Sequence, residues 1–227
     1  MRTRVTAIHR EMAEAARSVG RNPNEILLIG VSKRHSAEEV IKAVDAGVTI
    51  LGENYIQEAV DKIKTLADLE VSWHFIGHLQ TNKARFAVEY FDIIHTVDSV
   101  KLAREIDKRA RKINKIQKIL VQINISQESS KSGTGASDAL ALVREAALFK
   151  NISVRGLMGM PPFFDDPEEA RPFFKELAGI RSDIRAAEIP NITMEHLSMG
   201  MSGDFKAAIE EGSTMVRIGT AIFGERQ

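Results

Sequence analysis

The chain has 227 residues, 44% of them hydrophobic and 27% charged, with 31 basic and 31 acidic side chains and no cysteine. Those values describe a water-soluble chain with enough apolar residues for a sizeable core, and the zero formal charge gives no reason to expect a nucleic acid or another polyanion as partner. Without cysteine there is no disulfide framework, thiolate metal site or thiol nucleophile, and no apolar run approaches the roughly 18 residues a membrane span needs.

The N-terminal stretch "MRTRVTAIHREMAEAARSVG" is amphipathic and carries Glu11 and Glu14. It lacks the apolar centre of a secretory signal and is too acidic for a transit peptide. It is expected to form a helix over 3–18 closed by Gly20, and a cytoplasmic location is the expectation.

From there, short apolar runs alternate with longer segments of helical period. The runs are 26–32, 48–54, 72–77, 92–98, 118–125, 152–160, 192–200 and 214–224. Ser36 is placed to cap the helix after the first run, with Glu38 and Glu39 in its first turn, and Ser99 the helix after the fourth. Pro172 is awkward for the helix after the sixth run and is expected to bend or delay it. Strand–helix alternation implies parallel pairing through right-handed crossovers. Eight repeats in this length indicate a single (β/α)8 TIM barrel with an extra N-terminal helix, residues 1–227 forming one domain. A doubly wound sheet fits less well, having fewer strands and a glycine-rich first turn.

A barrel of this kind places its site at the carboxyl ends of its strands. Those ends carry Lys33, Asn54, Gly77 with His78, Asp98, Asn124, Met158 to Met160, Ser198, and Arg217 through Thr220. The stretches "HLSMGMSGDF" and "RIGTAIFG" put small and hydroxyl residues after the seventh and eighth strands, where barrels tend to bind phosphate. A strand-end lysine facing such a cradle suits an amine that forms an imine with a phosphorylated carbonyl cofactor, pyridoxal phosphate above all. Arg217 suits the pyridine nitrogen. An arginine cannot accept the ring proton, so such a site favours binding over carbanion chemistry.

"HFIGH" raises a metal reading for His74 and His78, but no carboxylate motif accompanies the pair; a place for one of them near the ring is the better fit. "SQESSKSGTGAS" (126–137) reads as a rim loop from which Lys131 could reach the mouth. The methionines 158, 160, 194, 199, 201 and 215 read as core filler.

The stretches "VSK", "LGENY", "WHFIGHLQTNK", "HTVDS", "VQINIS", "RGLMGMP" and "LSMGMSGDFKAAIEEGSTMVRIGTAIFG" resemble those of the pyridoxal-phosphate homeostasis proteins, which are similar in fold to the barrel domain of alanine racemase. The resemblance implies that Lys33 carries the cofactor. It further implies that Ser198, Ser202, Gly219 and Thr220 hold its phosphate, that Arg217 faces the ring nitrogen, and that Asn54 lies near it. It implies a cofactor carrier serving apo-enzymes, with no assigned catalytic residue and no metal, and a monomer is compatible with the evenly charged sequence. Racemases of related fold add a β domain that supplies a second base. The chain reaches Gln227 directly after the eighth strand, so no such domain is expected. The alternative is a small racemase-like enzyme using pyridoxal phosphate.

Overall fold

The structure is a computed structural model that describes residues 1–126, 128 and 132–224. Eight parallel strands close into a barrel in chain order: β1 (Leu27–Val31), β2 (Ile50–Glu53), β3 (Ser72–Phe75), β4 (Ile93–Val97), β5 (Gln117–Ile123), β6 (Ile152–Gly159), β7 (His196–Met201) and β8 (Met215–Ile218). The ring closes where β8 pairs with β1, Leu27 beside Met215 and Gly30 beside Ile218. The helices are α1 (Arg2–Ser18), α2 (Ala37–Val44), α3 (Ile56–Thr65), α4 (Ala84–Tyr90), α5 (Val100–Lys112), α6 (Ala139–Ala147), α7 (Arg171–Ala186), α8 (Phe205–Glu210) and α9 (Thr220–Phe223).

Local chemistry sets these elements. Ser36 and Glu39 form a reciprocal capping box at the start of α2, which satisfies backbone donors that the first turn leaves free. Ser99 Oγ accepts from the Leu102 amide and caps α5. Pro172 occupies one of the first two positions of α7, after a 3-10 turn over Pro167–Ala170; its missing N–H costs nothing there, so it begins this helix without bending it.

Outward side chains of the strands, including Leu28, Leu51, Phe75, Ile94 and Leu157, pack under the helices in the main core, where they meet helix residues such as Phe174. A separate cluster of Ile29, Ile93, Leu120, Met158 and Met215 fills the interior of the barrel. The two clusters follow from side-chain alternation along each strand: Leu28 turns out and Ile29 turns in.

Two strand boundaries differ from the expectation by more than two residues. Residues 192–195 precede β7 without belonging to it. The eighth strand stops at Ile218, and the apolar "TAIF" after Gly219 is a turn of helix, α9. Ile222 and Phe223 are buried there, and the Phe223 ring stacks on His35 at 4.4 Å. A four-residue apolar run looks alike in either state when only its composition is available.

Candidate functional site

A cavity of about 420 Å³ opens at the carboxyl end of the barrel, within the size range of small-molecule sites. Lys33, Asn54, Ser202, Arg217, Gly219 and Thr220 all line it. The structure therefore brings together six of the seven residues assigned from sequence. Its apolar walls are Val31, Ile76, Met160, Met201 and the loop carrying Pro162, Phe163 and Phe164. Met160 and Met201 thus face the cavity, whereas Met158, Met194, Met199 and Met215 are buried filler as expected.

Lys33 stands two residues beyond the end of β1, in a tight turn closed by the His35 amide donating to the Ser32 carbonyl at 3.1 Å. Asn54 follows β2 directly. Its Oδ1 is buried and has no hydrogen-bond partner, so a ligand donor is wanted at that point. Gly77, after β3, makes this position possible: a Cβ there would lie 2.1 Å from the Asn54 carbonyl oxygen. Ser202 and Gly203 form one wall after β7. Gly219 and Thr220 form the adjoining wall after β8.

Ser198 is a correction. Its side chain is fully buried and does not line the cavity. Its hydroxyl accepts from Arg217 Nη1 at 2.7 Å and lies 3.0 Å from His95 Nδ1. His95 Nε2 is in turn 3.0 Å from His74 Nδ1. Ser198 is the third residue of β7 and points inward, whereas Ser202 follows the strand's end at Met201 and is the one of the two serines at the rim. Arg217 also donates from Nη2 to the Gly159 carbonyl at 3.1 Å. Both ends of its guanidinium are thereby fixed, and the residue forms the inner wall of the cavity.

Burial lowers the Arg217 pKa to about 10, opposed by the charge of Asp204, so it stays cationic at neutral pH. Burial raises the pKa of Asp204, while a hydrogen bond from the Met201 amide and the charge of Arg217 pull it down. Burial lowers His74 to about 4 and puts His95 well below the usual histidine range, with the neighbouring His74 and Arg217 adding to the effect on His95. Both imidazoles are therefore neutral. His74 belongs to this internal chain and has no place beside the cavity. His78 is exposed, and its Nδ1 is 3.0 Å from Ser132 Oγ. Lys131 lies outside the described residues.

The sequence reading missed Asp204, although its place at the N-cap of α8 is a common aspartate position. It also missed the buried His74–His95–Ser198 chain. The signal was histidines at inward positions of otherwise apolar strands.

The alanine racemase N-terminal domain model matches residues 5–227. A pyridoxal phosphate homeostasis protein of Aquifex aeolicus is 39% identical over 224 residues, covering 99% of this chain and 97% of that protein. The chain belongs to the family of pyridoxal phosphate homeostasis proteins. A solved structure of PipY from Synechococcus elongatus PCC7942, with PLP bound, superposes with a TM-score of 0.82 at 35% identity, covering 94% of this chain and 100% of that one. An alanine racemase of Clostridium difficile shares the fold alone, with a TM-score of 0.71 at 17% identity over 96% of this chain and 56% of its own.

Proposed function

We propose that the chain binds pyridoxal 5'-phosphate in the cavity at the barrel mouth, attaches it through Lys33, and takes part in intracellular supply of that cofactor. The single observation that carries this reading is the convergence of Lys33, the unpartnered Asn54 Oδ1 and the buried Arg217 on one cavity with the Ser202 and Thr220 walls. The PLP reported for PipY and the naming of the Aquifex relative support it.

The residues fit the group. The aldehyde that the bound cofactor supplies is the electrophile an amine requires. Lys33 presents that amine. Asn54 Oδ1 would accept a hydrogen bond from a ring substituent. Ser202 and Thr220 would donate hydroxyl hydrogen bonds to the phosphate, and Gly203 and Gly219 would let backbone approach it. Arg217 would stand toward the ring and, as a donor only, could not take its proton. The apolar walls would keep water from the ring face.

The carrier reading is preferred to a racemase-like enzyme. Racemisation requires a second acid/base on the other face of the ring, and no tyrosine lines the cavity among the described residues. Tyr55 is 47% exposed and packs against Arg34. Residues 1–227 act in this reading as one cofactor-binding domain, cytoplasmic and monomeric, with apo-enzymes that need pyridoxal phosphate as recipients. No helix among the described residues is long and apolar enough to cross a membrane.

The test is a fluorescence titration with pyridoxal phosphate of the wild type and of Lys33→Ala. Weaker, still saturable binding by Lys33→Ala fits a phosphate-anchored site that has lost its covalent link. Equal affinity in the two proteins rejects it. Rapid turnover of L-alanine or L-serine to the D-form by the wild type would move the assignment to the enzyme reading.

A further inference from the structure

The turn that carries Lys33 is strained, and a buried ion cluster holds it from beneath. Ser32 to His35 form a β-turn with Lys33 and Arg34 as its central residues. Arg34 has φ +62 whereas Lys33 is absent from the positive-φ residues, which is the sense of a type II turn. Glycine or asparagine ordinarily occupies that third position; an arginine there is held in a strained left-handed conformation.

Three contacts fix the turn. The Lys62 ammonium donates to the Ser32 carbonyl at 2.7 Å, on the near side of Lys33. Glu58 Oε1 accepts from the backbone N–H of Arg34, on the far side. Ser32 Oγ donates to Glu53 Oε1 at 2.7 Å. The same Lys62 ammonium joins the anchors, donating to Glu53 at 2.6 Å and to Glu58 at 3.0 Å. Its three donors are thus spent on three acceptors. Glu53 is fully buried and the Lys62 side chain is 6% exposed. A buried charge cluster costs desolvation energy that a hydrophobic substitute would avoid, so its presence directly under this turn calls for a use.

We propose that Glu58 and Lys62 are positioning residues for Lys33: they clamp the backbone on either side of it, maintain the left-handed Arg34, and so aim the Lys33 amine into the cavity. This inference rests on the proposed role of Lys33 as the attachment point. It explains why β1 runs into a lysine. The strand supplies a rigid base, the turn lifts Lys33 to the rim, and the clamp stops the turn from relaxing. Misplacement of a reacting group by about 1 Å can lower a rate by ~100-fold, so the clamp acts on the rate of attachment.

The experiment mixes each apoprotein with pyridoxal 5'-phosphate and follows the visible absorbance, then reduces with borohydride and maps the labelled peptide. Glu58 is 30% exposed, so Glu58→Ala leaves the core intact, checked by circular dichroism. Attachment at Lys33 in Glu58→Ala should be about 10- to 100-fold slower than in the wild type. Glu58→Gln retains an acceptor for the Arg34 amide and should recover most of the rate. In an Arg34→Gly background the turn needs no such hold, so adding Glu58→Ala should slow attachment much less. Wild-type rates in Glu58→Ala, or equal slowing in both backgrounds, would overturn the clamp while leaving Lys33 as attachment point. Label on a different lysine in the wild type would overturn the attachment point itself, and the clamp with it.

Discussion

Arg217 donates from Nη1 to Ser198 Oγ at 2.7 Å, and both side chains are buried inside the barrel. Arginine can only donate, so the serine accepts from it, and the contact at 3.0 Å is satisfied when the serine hydroxyl donates to His95 Nδ1. In that tautomer His95 carries its hydrogen on Nε2 and donates to His74 Nδ1 at 3.0 Å. One donor-only residue at the cavity wall thereby orders a polar chain through the barrel, and the chain in turn fixes the guanidinium.

Ser198→Ala should destabilise the fold by about 1–3 kcal/mol, because it leaves a buried guanidinium N–H and a histidine nitrogen unpaired. Urea unfolding measures it. Its effect on pyridoxal phosphate affinity should be small beside that of a rim hydroxyl. Unchanged stability with a large loss of affinity would return Ser198 to the phosphate site.

Thr220→Val should weaken pyridoxal phosphate binding by roughly 1.5–3 kcal/mol, the worth of a hydrogen bond to a charged group. Its side chain is exposed at the rim, so folding stability should change little. A fluorescence titration with parallel thermal melts separates the two effects.

Neutral His74 gives the fold an acid-sensitive component. Its pKa of about 4 in the folded chain lies below the ordinary 6.5, so the unfolded chain takes up the proton first as pH falls. The contribution is complete above pH 6.5 and is lost between 6.5 and 4; it amounts to ~3 kcal/mol at about 1.4 kcal/mol for each pH unit. Unfolding free energies measured across that window should fall steeply in the wild type and less steeply in His74→Gln.

Gly77→Ala should disrupt the β3 end. The new methyl would meet the Asn54 carbonyl oxygen at 2.1 Å, and backbone cannot yield as a flexible side chain can. A loss of at least 1–3 kcal/mol is expected from overpacking of this kind, read as a lowered melting temperature with weakened cofactor binding, since Asn54 is displaced.

The barrel was legible because each strand is a short apolar run followed by a helix with its own start signal, as Ser36 and Ser99 show. Lys33, Asn54 and Thr220 were legible as polar residues at strand ends. Ser198 was not, since Ser198 and Ser202 look equivalent along the chain, and only the end of β7 at Met201 shows that the first lies deep in the strand and the second at the rim. The His95–Ser198 contact joins residues 103 apart, and closure of the barrel alone creates it. The clamp under Lys33 was hidden for a similar reason. Glu58 and Lys62 are ordinary helix charges at i, i+4 until α3 packs against the β1 turn.

The most direct test of the account is the site of covalent attachment. The purified protein incubated with pyridoxal 5'-phosphate should show visible absorbance that disappears on borohydride reduction, with the label recovered on the peptide containing Lys33. A protein that stays colourless, or a label on another lysine while Lys33 remains unmodified, would contradict it.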